Sequence, residues 1–311
     1  MRLLPICAAI GAALMCPCPM LSAASAAETE DGTRSATRLA EIVVIAARRP
    51  QPAEEVAGTV SVIDRPEIER LQAQDIRDLV RYEPGVRVVA DPTRFGLEGF
   101  NIRGVQGNRV AVRIDGVPLP DAFSVGLLAN AGRDQVDPEL VQRLEILRGP
   151  ASALYGSDAL GGIVTLSTRV PTDVVDRGNA GGEARLAWTE RDAGWRASVL
   201  GAWQGDVHGA MLALSDLRAD ETENRPLPGD PTANPTDLRR RSALAKWTSD
   251  FDAVRTALSL ERYTTDVATD VRTLINGAGR FNTTEQLSSD DTETRERALG
   301  SAVFVAPAPW L

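Results

Sequence analysis

Few residues in this chain have the types and spacing that chemistry requires. One histidine, His208, and three cysteines, Cys7, Cys16 and Cys18, make up its whole stock of imidazole and thiol groups. It has no Gly-x-Ser-x-Gly elbow, no His-Glu-x-x-His pair and no phosphate-binding glycine loop ahead of a helix. Carboxylates such as Asp250 and Asp252 are numerous, but they fall in predicted turns and read as solvated charge. The inventory points away from an enzyme and from a metal site, and toward binding. Two patterns suit binding. The short β-prone run Glu41, Ile42, Val43, Val44, Ile45, Ala46, Ala47, closed by Arg48-Arg49-Pro50, could add as a strand to a partner's sheet edge, or could equally be the first strand of the domain that follows. The second pattern is an ordered, glycine-rich string from Arg143 to Thr168.

The start of the chain has the order of an export signal: Arg2, an apolar run from Leu3 to Leu21, then small residues from Ser22 to Ala27, with cleavage expected near Ala27. Pro5, Pro17 and Pro19 interrupt the run, and no stop-transfer charges follow it, which argues against a membrane anchor. The residues before Cys16 and Cys18 do not form a lipid-attachment box. All three cysteines lie in the segment to be removed, so the mature chain holds no disulfide and no thiolate. A net charge of -9 disfavours nucleic acid as a partner. With 25% charged and 43% apolar residues the chain can fold, but no downstream apolar run is long enough for a spanning helix. If it enters a membrane, it must do so as a barrel.

The elements that would position these patterns fall into four parts: a signal over 1–27, a flexible periplasmic tail over 28–50, a compact domain over 51–174 and strands over 175–311. In the compact part, Thr59 to Ile63 is strand-like, Asp64 and Pro66 start a helix, and Asp75 to Val80 has helical spacing that ends at Pro84-Gly85. Val86 to Val89, Phe100 to Arg103 and Arg109 to Ile114 read as short strands, with a turn at Asp115-Gly116. Pro138 opens a helical turn from Leu140 to Arg143, followed by the strand Leu144 to Leu147; Ile163 to Thr168 is the closing strand. This is a small mixed-sheet α+β domain with short helices.

After Pro171 the pattern alternates. Ala184, Leu186 and Trp188 oppose Glu183 and Arg185, and Ala197, Val199 and Trp203 oppose Arg196, Ser198 and Gln204. Ala243, Ala245 and Trp247 oppose Ser242, Lys246 and Thr248, and Val254, Leu258 and Leu260 oppose Arg255, Ser259 and Glu261. Val207 to Arg218 is ambiguous. A soluble sandwich also alternates. Connection lengths favour a membrane barrel instead: tight turns at Gly205-Asp206 and Ser249 to Asp252 fall on one side, and long polar connections at Ala219 to Leu238 and Asp270 to Arg297 on the other.

Taken together, these segments resemble the TonB-dependent outer-membrane receptor family. The string Arg143 to Thr168 resembles the plug motif, and Asn101-Ile-Arg-Gly104 and Asp115-Gly-Val-Pro-Leu119 match in the expected order. The resemblance implies an α+β plug domain followed by a partial antiparallel transmembrane β-barrel in the outer membrane of a Gram-negative bacterium. It makes Glu41 to Ala47 the TonB box, although Glu41 and Ile45 depart from the commoner choices. It also makes Arg103, Gly104, Asp115, Gly116, Glu145, Arg148, Gly149, Pro150, Tyr155, Gly156, Gly161 and Gly162 the plug-motif residues. Arg103 and Arg148 are expected to pair with barrel carboxylates or to satisfy local carbonyls, and Tyr155 to pack.

The wording from Gly99 to Pro120 is most similar to the haem and haemoglobin receptor branch. The implied partners are TonB, outer-membrane lipid and an iron-containing ligand such as haem or haemoglobin. Haem or a ferric chelate would be cargo, with no covalently bound cofactor. Axial haem ligation calls for histidine, and His208 falls beside a periplasmic turn, where a structural role fits it better. Family barrels have roughly 22 strands, whereas Gly178 to Leu311 is expected to supply about six by length. A truncated fragment, or a ligand-binding plug module without transport, is therefore the rival reading.

Overall fold

The computed structural model describes residues 42–43, 51–52, 58–91, 96–125, 130–222, 233–275 and 282–304. The export segment lies outside them, as do most of residues 28–50, including Glu41, Val44, Ile45, Ala46 and Ala47. Two short strands, β1 (Ile42–Val43) and β2 (Gln51–Pro52), pair antiparallel with each other.

The plug opens with β3 (Thr59–Asp64) and α1 (Arg65–Arg70). The Asp64 carboxylate accepts the Glu67 amide at 3.1 Å, and Pro66 sits in the first turn, where its missing N–H costs nothing. Asp75 caps α2 (Ile76–Leu79) in the same way, accepting the amides of Arg77 and Asp78. There follow β4 (Val86–Asp91), β5 (Gly96–Ile102), β6 (Val110–Ile114), β7 (Val117–Pro118), β8 (Phe123–Ser124) and β9 (Asn130–Ala131). A 3₁₀ turn at Pro138–Leu140 leads into β10 (Val141–Arg148), and α3 (Ser152–Tyr155) precedes β11 (Gly162–Thr168). The sheet order is β3-β10-β11-β6-β7, with β11 parallel to β6 and the other neighbours antiparallel.

One expectation changes here. The expected helical turn from Leu140 to Arg143 ends at Leu140, and the strand begins at Val141, because Val141 and Arg143 already pair with β11. The last plug strand, β11, closes the domain in sequence as expected and lies in the middle of its sheet. Ile163, Val164 and Leu166 are fully buried because both faces of β11 are covered. One face joins the main core with Ile68, Leu79, Ile102, Leu144 and Ile146, and the other packs on Ala111, Leu147 and Ala159.

Six long antiparallel strands follow in sequential order: β12 (Ala180–Thr189), β13 (Gly194–Gln204), β14 (His208–Asp220), β15 (Thr236–Phe251), β16 (Val254–Asp270) and β17 (Ser288–Phe304). Their outer face exposes Leu186, Trp188, Val199, Trp203, Leu212, Leu214, Trp247, Leu258 and Leu260, as a lipid-facing wall must. Their inner face buries Arg196, Leu200, Met211, Ala213, Leu244, Lys246 and Glu261. The strand read as ambiguous, β14, is apolar on both faces because Met211 and Ala213 pack with plug residues Leu140 and Val174 while Leu212 and Leu214 face outward. The stretch expected to be a polar connection up to Arg297 is strand from Ser288. It pairs with β16 along its whole length, and it looks like a loop in sequence because neither face is apolar at that end.

Candidate functional site

The plug-motif residues form a structural knot. The Asp115 backbone (φ +48°) and Gly116 (φ +83°) make the turn between β6 and β7, and Asp115 reaches Thr168 at the end of β11, accepting its amide and its hydroxyl at 2.7 Å each. Gly104 takes φ +90° and donates its amide to the Asn101 side chain. Gly149 and Gly156 also have positive φ, flanking Pro150 and the short helix α3. At Gly161 an added Cβ would lie 2.5 Å from the Cβ of Val105, and at Gly162 it would strike the Leu147 carbonyl. Tyr155 packs beside the Ala111 and Ile163 cluster, with the Arg113 guanidinium 5.6 Å from its ring centre.

Of the two roles open to Arg103 and Arg148, barrel pairing or local bonding, the structure shows local bonding within the plug, to side chains rather than carbonyls. Arg148 donates to Ser61 Oγ at 2.6 Å and pairs with Glu83, and Arg103 donates to Thr59 Oγ1 at 3.3 Å. Glu145 pairs with Arg143 at 3.0 Å. The polarity of the interface is mainly the reverse of the expectation: plug carboxylates meet basic residues on the barrel wall. Arg297 on β17 holds Asp115 at 2.8 Å, the Ile114 carbonyl at 2.5 Å and the wall residue Glu261 at 2.6 Å. Lys246 donates to the Thr168 carbonyl at 3.1 Å, with Asp115 3.6 Å away. Arg196 meets Asp137 at 2.9 Å, and Arg191 meets Asp75 and Asp78 at 3.3 Å each. Arg295 donates to the Gln135 carbonyl at 3.1 Å, and Arg185 reaches Glu69 and Glu139.

The sequence did carry a signal for part of this arrangement, since Arg196 and Lys246 sit at inward positions of alternating strands, whereas Arg295 and Arg297 lie in the stretch that reads as a polar connection. Burial pushes the Asp115 carboxyl up. The charges of Lys246 and Arg297 and the two bonds from Thr168 outweigh it and hold Asp115 below the usual carboxylate range. Burial likewise opposes ionisation of Asp137 and Asp75, but Arg196 in one case, and Arg77 with Arg191 in the other, keep both values low.

Beyond this interface, at the end of the wall with the longer connections, plug and wall enclose a cavity of about 560 Å³. The β4–β5 and β9 tips of the plug form one side, through Leu97, Gly132 and Asp134. Wall residues Arg191, Arg240 and Glu293 form the other. Among the described residues no group of three histidine, cysteine, aspartate or glutamate side chains is placed to hold a metal ion. His208 lies at the opposite, tight-turn end, with Nδ1 2.9 Å from Ser249 Oγ and its ring edge-on to Phe251.

A mixed-sheet plug seated by charged hydrogen bonds against the inner face of an open six-stranded wall that is apolar outside resembles part of a plugged outer-membrane barrel. Residues 52–163 match the TonB-dependent Receptor Plug Domain family, and the chain is similar over part of its length to TonB-dependent receptors of the Gram-negative outer membrane. It is 31% identical over 214 residues to lactoferrin-binding protein A of Neisseria meningitidis serogroup B, covering 66% of this chain and 22% of that protein. Among solved structures, the FrpB iron transporter of Neisseria meningitidis (F3-3 variant) superposes with a TM-score of 0.65 at 20% identity, covering 79% of this chain and 38% of that one. The Serratia marcescens hemophore receptor HasR, in complex with its hemophore HasA and heme, gives 0.57 at 20% identity, covering 79% and 39%. The chain thus spans well under half the length of these relatives.

Proposed function

We propose that this chain provides the coupling and gating parts of a TonB-dependent, energy-coupled uptake receptor for an iron source, such as haem, a haem protein or another iron carrier. The observation that carries the reading is the seating of the plug. Asp115, Asp137, Asp75 and Asp78 reach basic side chains of the wall, and among the described residues the buried apolar cluster that joins plug and wall is the patch around Leu140 and Val174. A large apolar interface would resist separation at every step. Ion pairs and hydrogen bonds can instead be exchanged for water and new partners as the plug is pulled, since a buried pair contributes little net stability once its desolvation is counted.

In this reading TonB engages residues 41–47 as an added strand, and tension along the tail rearranges the plug. Main-chain pairing suits the task because it tolerates variation in side chains. The iron-source part of the proposal is supported by the relatives, whose printed names include lactoferrin-binding protein A, an iron transporter and a hemophore receptor. Deletion of residues 41–47 is expected to abolish uptake of the iron source by intact cells while leaving binding to the cell surface intact. Undiminished uptake by the deleted form would overturn the reading.

A further inference from the structure

The cavity between plug tips and wall has three guanidinium groups in its lining. Two of them are engaged: Arg77 donates to Asp75, and Arg191 donates to Asp75, Asp78 and Asp192. The third, Arg240 on β15, is different. Its side chain is only 5% exposed, and its Nε is buried with no hydrogen-bond partner. Among the described residues its polar neighbour is the Asp134 carboxylate at 4.0 Å, too far for a hydrogen bond, and its other contact is the face of Tyr263, 5.6 Å from the ring centre. A buried cation with five donors and no acceptor is costly, and such a group in a cavity wall is a preformed fork for a planar oxyanion.

We propose that Arg240 is the anchoring point for a carboxylate group of the ligand at the base of this cavity, a reading that rests on the chain being part of an uptake receptor. The carboxylate takes the position facing the guanidinium fork, where Asp134 now stands too distant to bond. The other acidic groups near the site are partnered or lie apart. Glu293 on β17 is bonded by Gln135, Asp75 is bonded by Arg77 and Arg191, and Asp137 is paired with Arg196. Arg295 on β17 stacks on the same Tyr263 ring, 5.8 Å from its centre, but is bonded to Glu261 and the Gln135 carbonyl. Arg191 and Arg295 also leave a buried Nε unbonded, but their terminal nitrogens are engaged; among these described residues it is Arg240 whose guanidinium makes no hydrogen bond.

Asp134 adds a proton to the binding. Its pKa is pushed up to about 7, first by burial and then by the charges of Glu293 and Asp75, with Arg240 pulling the other way. When ionised it competes with the ligand carboxylate for Arg240; when protonated it does not. With the competent form about a tenth populated at pH 8 and dominant at pH 6, affinity should rise about ten-fold across that interval.

The test uses the full chain in detergent micelles and two probes, haem with its two free propionates and haem dimethyl ester. At pH 6, haem is expected to bind at least about ten-fold tighter than the ester, Arg240→Gln should bring haem down to the ester's affinity, and Arg240→Lys should retain part of the difference. Asp134→Asn should give at pH 8 the affinity that the unaltered chain shows at pH 6, which decides the matter if the Arg240 variants fail to fold. Equal binding of the two probes, equal weakening of both by Arg240→Gln, or binding of neither overturns the proposal. These measurements need no TonB. Failure here with uptake still dependent on residues 41–47 would leave the transport reading standing, and loss of that dependence would strike the transport reading alone.

Discussion

Arg196 on the second wall strand and Asp137 in the plug form an ion pair of 2.9 Å in which each side chain is 1% exposed. The pair is closed at both ends: Asp137 also accepts the Glu139 amide at 3.0 Å, and Arg196 also donates to the Gln74 carbonyl. It fastens the plug just before β10 to the second strand of the wall. Removing one partner leaves a buried charge without its counter-ion, whereas removing both leaves only a packing defect.

Arg196→Met is therefore expected to destabilise plug docking by about 3–5 kcal/mol, and the double change Arg196→Met with Asp137→Leu by clearly less than the sum of the two single changes. Denaturant titration of plug release, followed by trypsin cleavage, measures both. Strict additivity would mean that the pair is not coupled across the interface.

Asp115 offers a separable test of charge and shape. Asp115→Asn suits the same left-handed backbone at φ +48° and keeps an acceptor for Thr168, but it loses the ionic bonds to Arg297 and Lys246. A loss of about 1.5–3 kcal/mol is expected, with Asp115→Ala worse because the turn is also strained. The carboxyl is held below its usual value, so its contribution is fully present above the unfolded pKa of about 3.9 and disappears as pH falls through the lower folded value. An acid titration monitored by tryptophan fluorescence should show a shallower loss of stability in Asp115→Asn than in the unaltered chain.

Glycine at 162 is required by space as well as by conformation. Its φ is +148°, and an added Cβ would meet the Leu147 carbonyl and lie 2.9 Å from Ile102 Cδ1. Gly162→Ala is expected to cost at least about 2 kcal/mol. Gly104→Ala, at φ +90° with nothing within 4 Å of the added carbon, should cost about 1 kcal/mol from strain alone. Thermal melts of the two variants give the comparison, and equal losses would show that crowding at 162 is unimportant.

Strand addition at the TonB box predicts an asymmetry between backbone and side-chain changes. Val43→Pro removes a main-chain donor and should abolish iron uptake with ligand binding intact, while Val43→Ala should retain most of the uptake. Uptake assays in cells decide it, and a large loss with alanine would point to side-chain recognition instead.

Much of the architecture was legible because it rests on short-range rules. The period of two along 183–188, 195–204, 242–248 and 254–261 assigns faces, and the structure puts Trp188, Trp203, Trp247 and Leu258 outside and Arg196, Lys246 and Glu261 inside. Asp64 with Pro66 marks a helix start that is capped as expected, and the helical spacing from Asp75 to Val80 becomes a helix with Asp75 as its cap. The rule failed where neither face is apolar, so the outer end of β17 looked like loop, and where both faces are apolar, so β14 looked ambiguous.

The sequence by itself thus determined the order of plug and wall, the glycine turns of the motif and which residues point inward in the four strands that alternate clearly. It could not determine which charge meets which. Arg103 and Arg148 resembled anchors and are bonded within the plug to Thr59, Ser61 and Glu83, while Asp115, Asp137 and Asp75 became the anchors by meeting Arg297, Arg196 and Arg191. A face is set by neighbours one or two residues away, through the pleat of the strand. A salt bridge between residues as far apart as 115 and 297 is set only when the plug docks and two distant segments come within a few ångströms. The unpaired donors of Arg240 belong to the same category, since only the packed structure leaves a guanidinium without an acceptor.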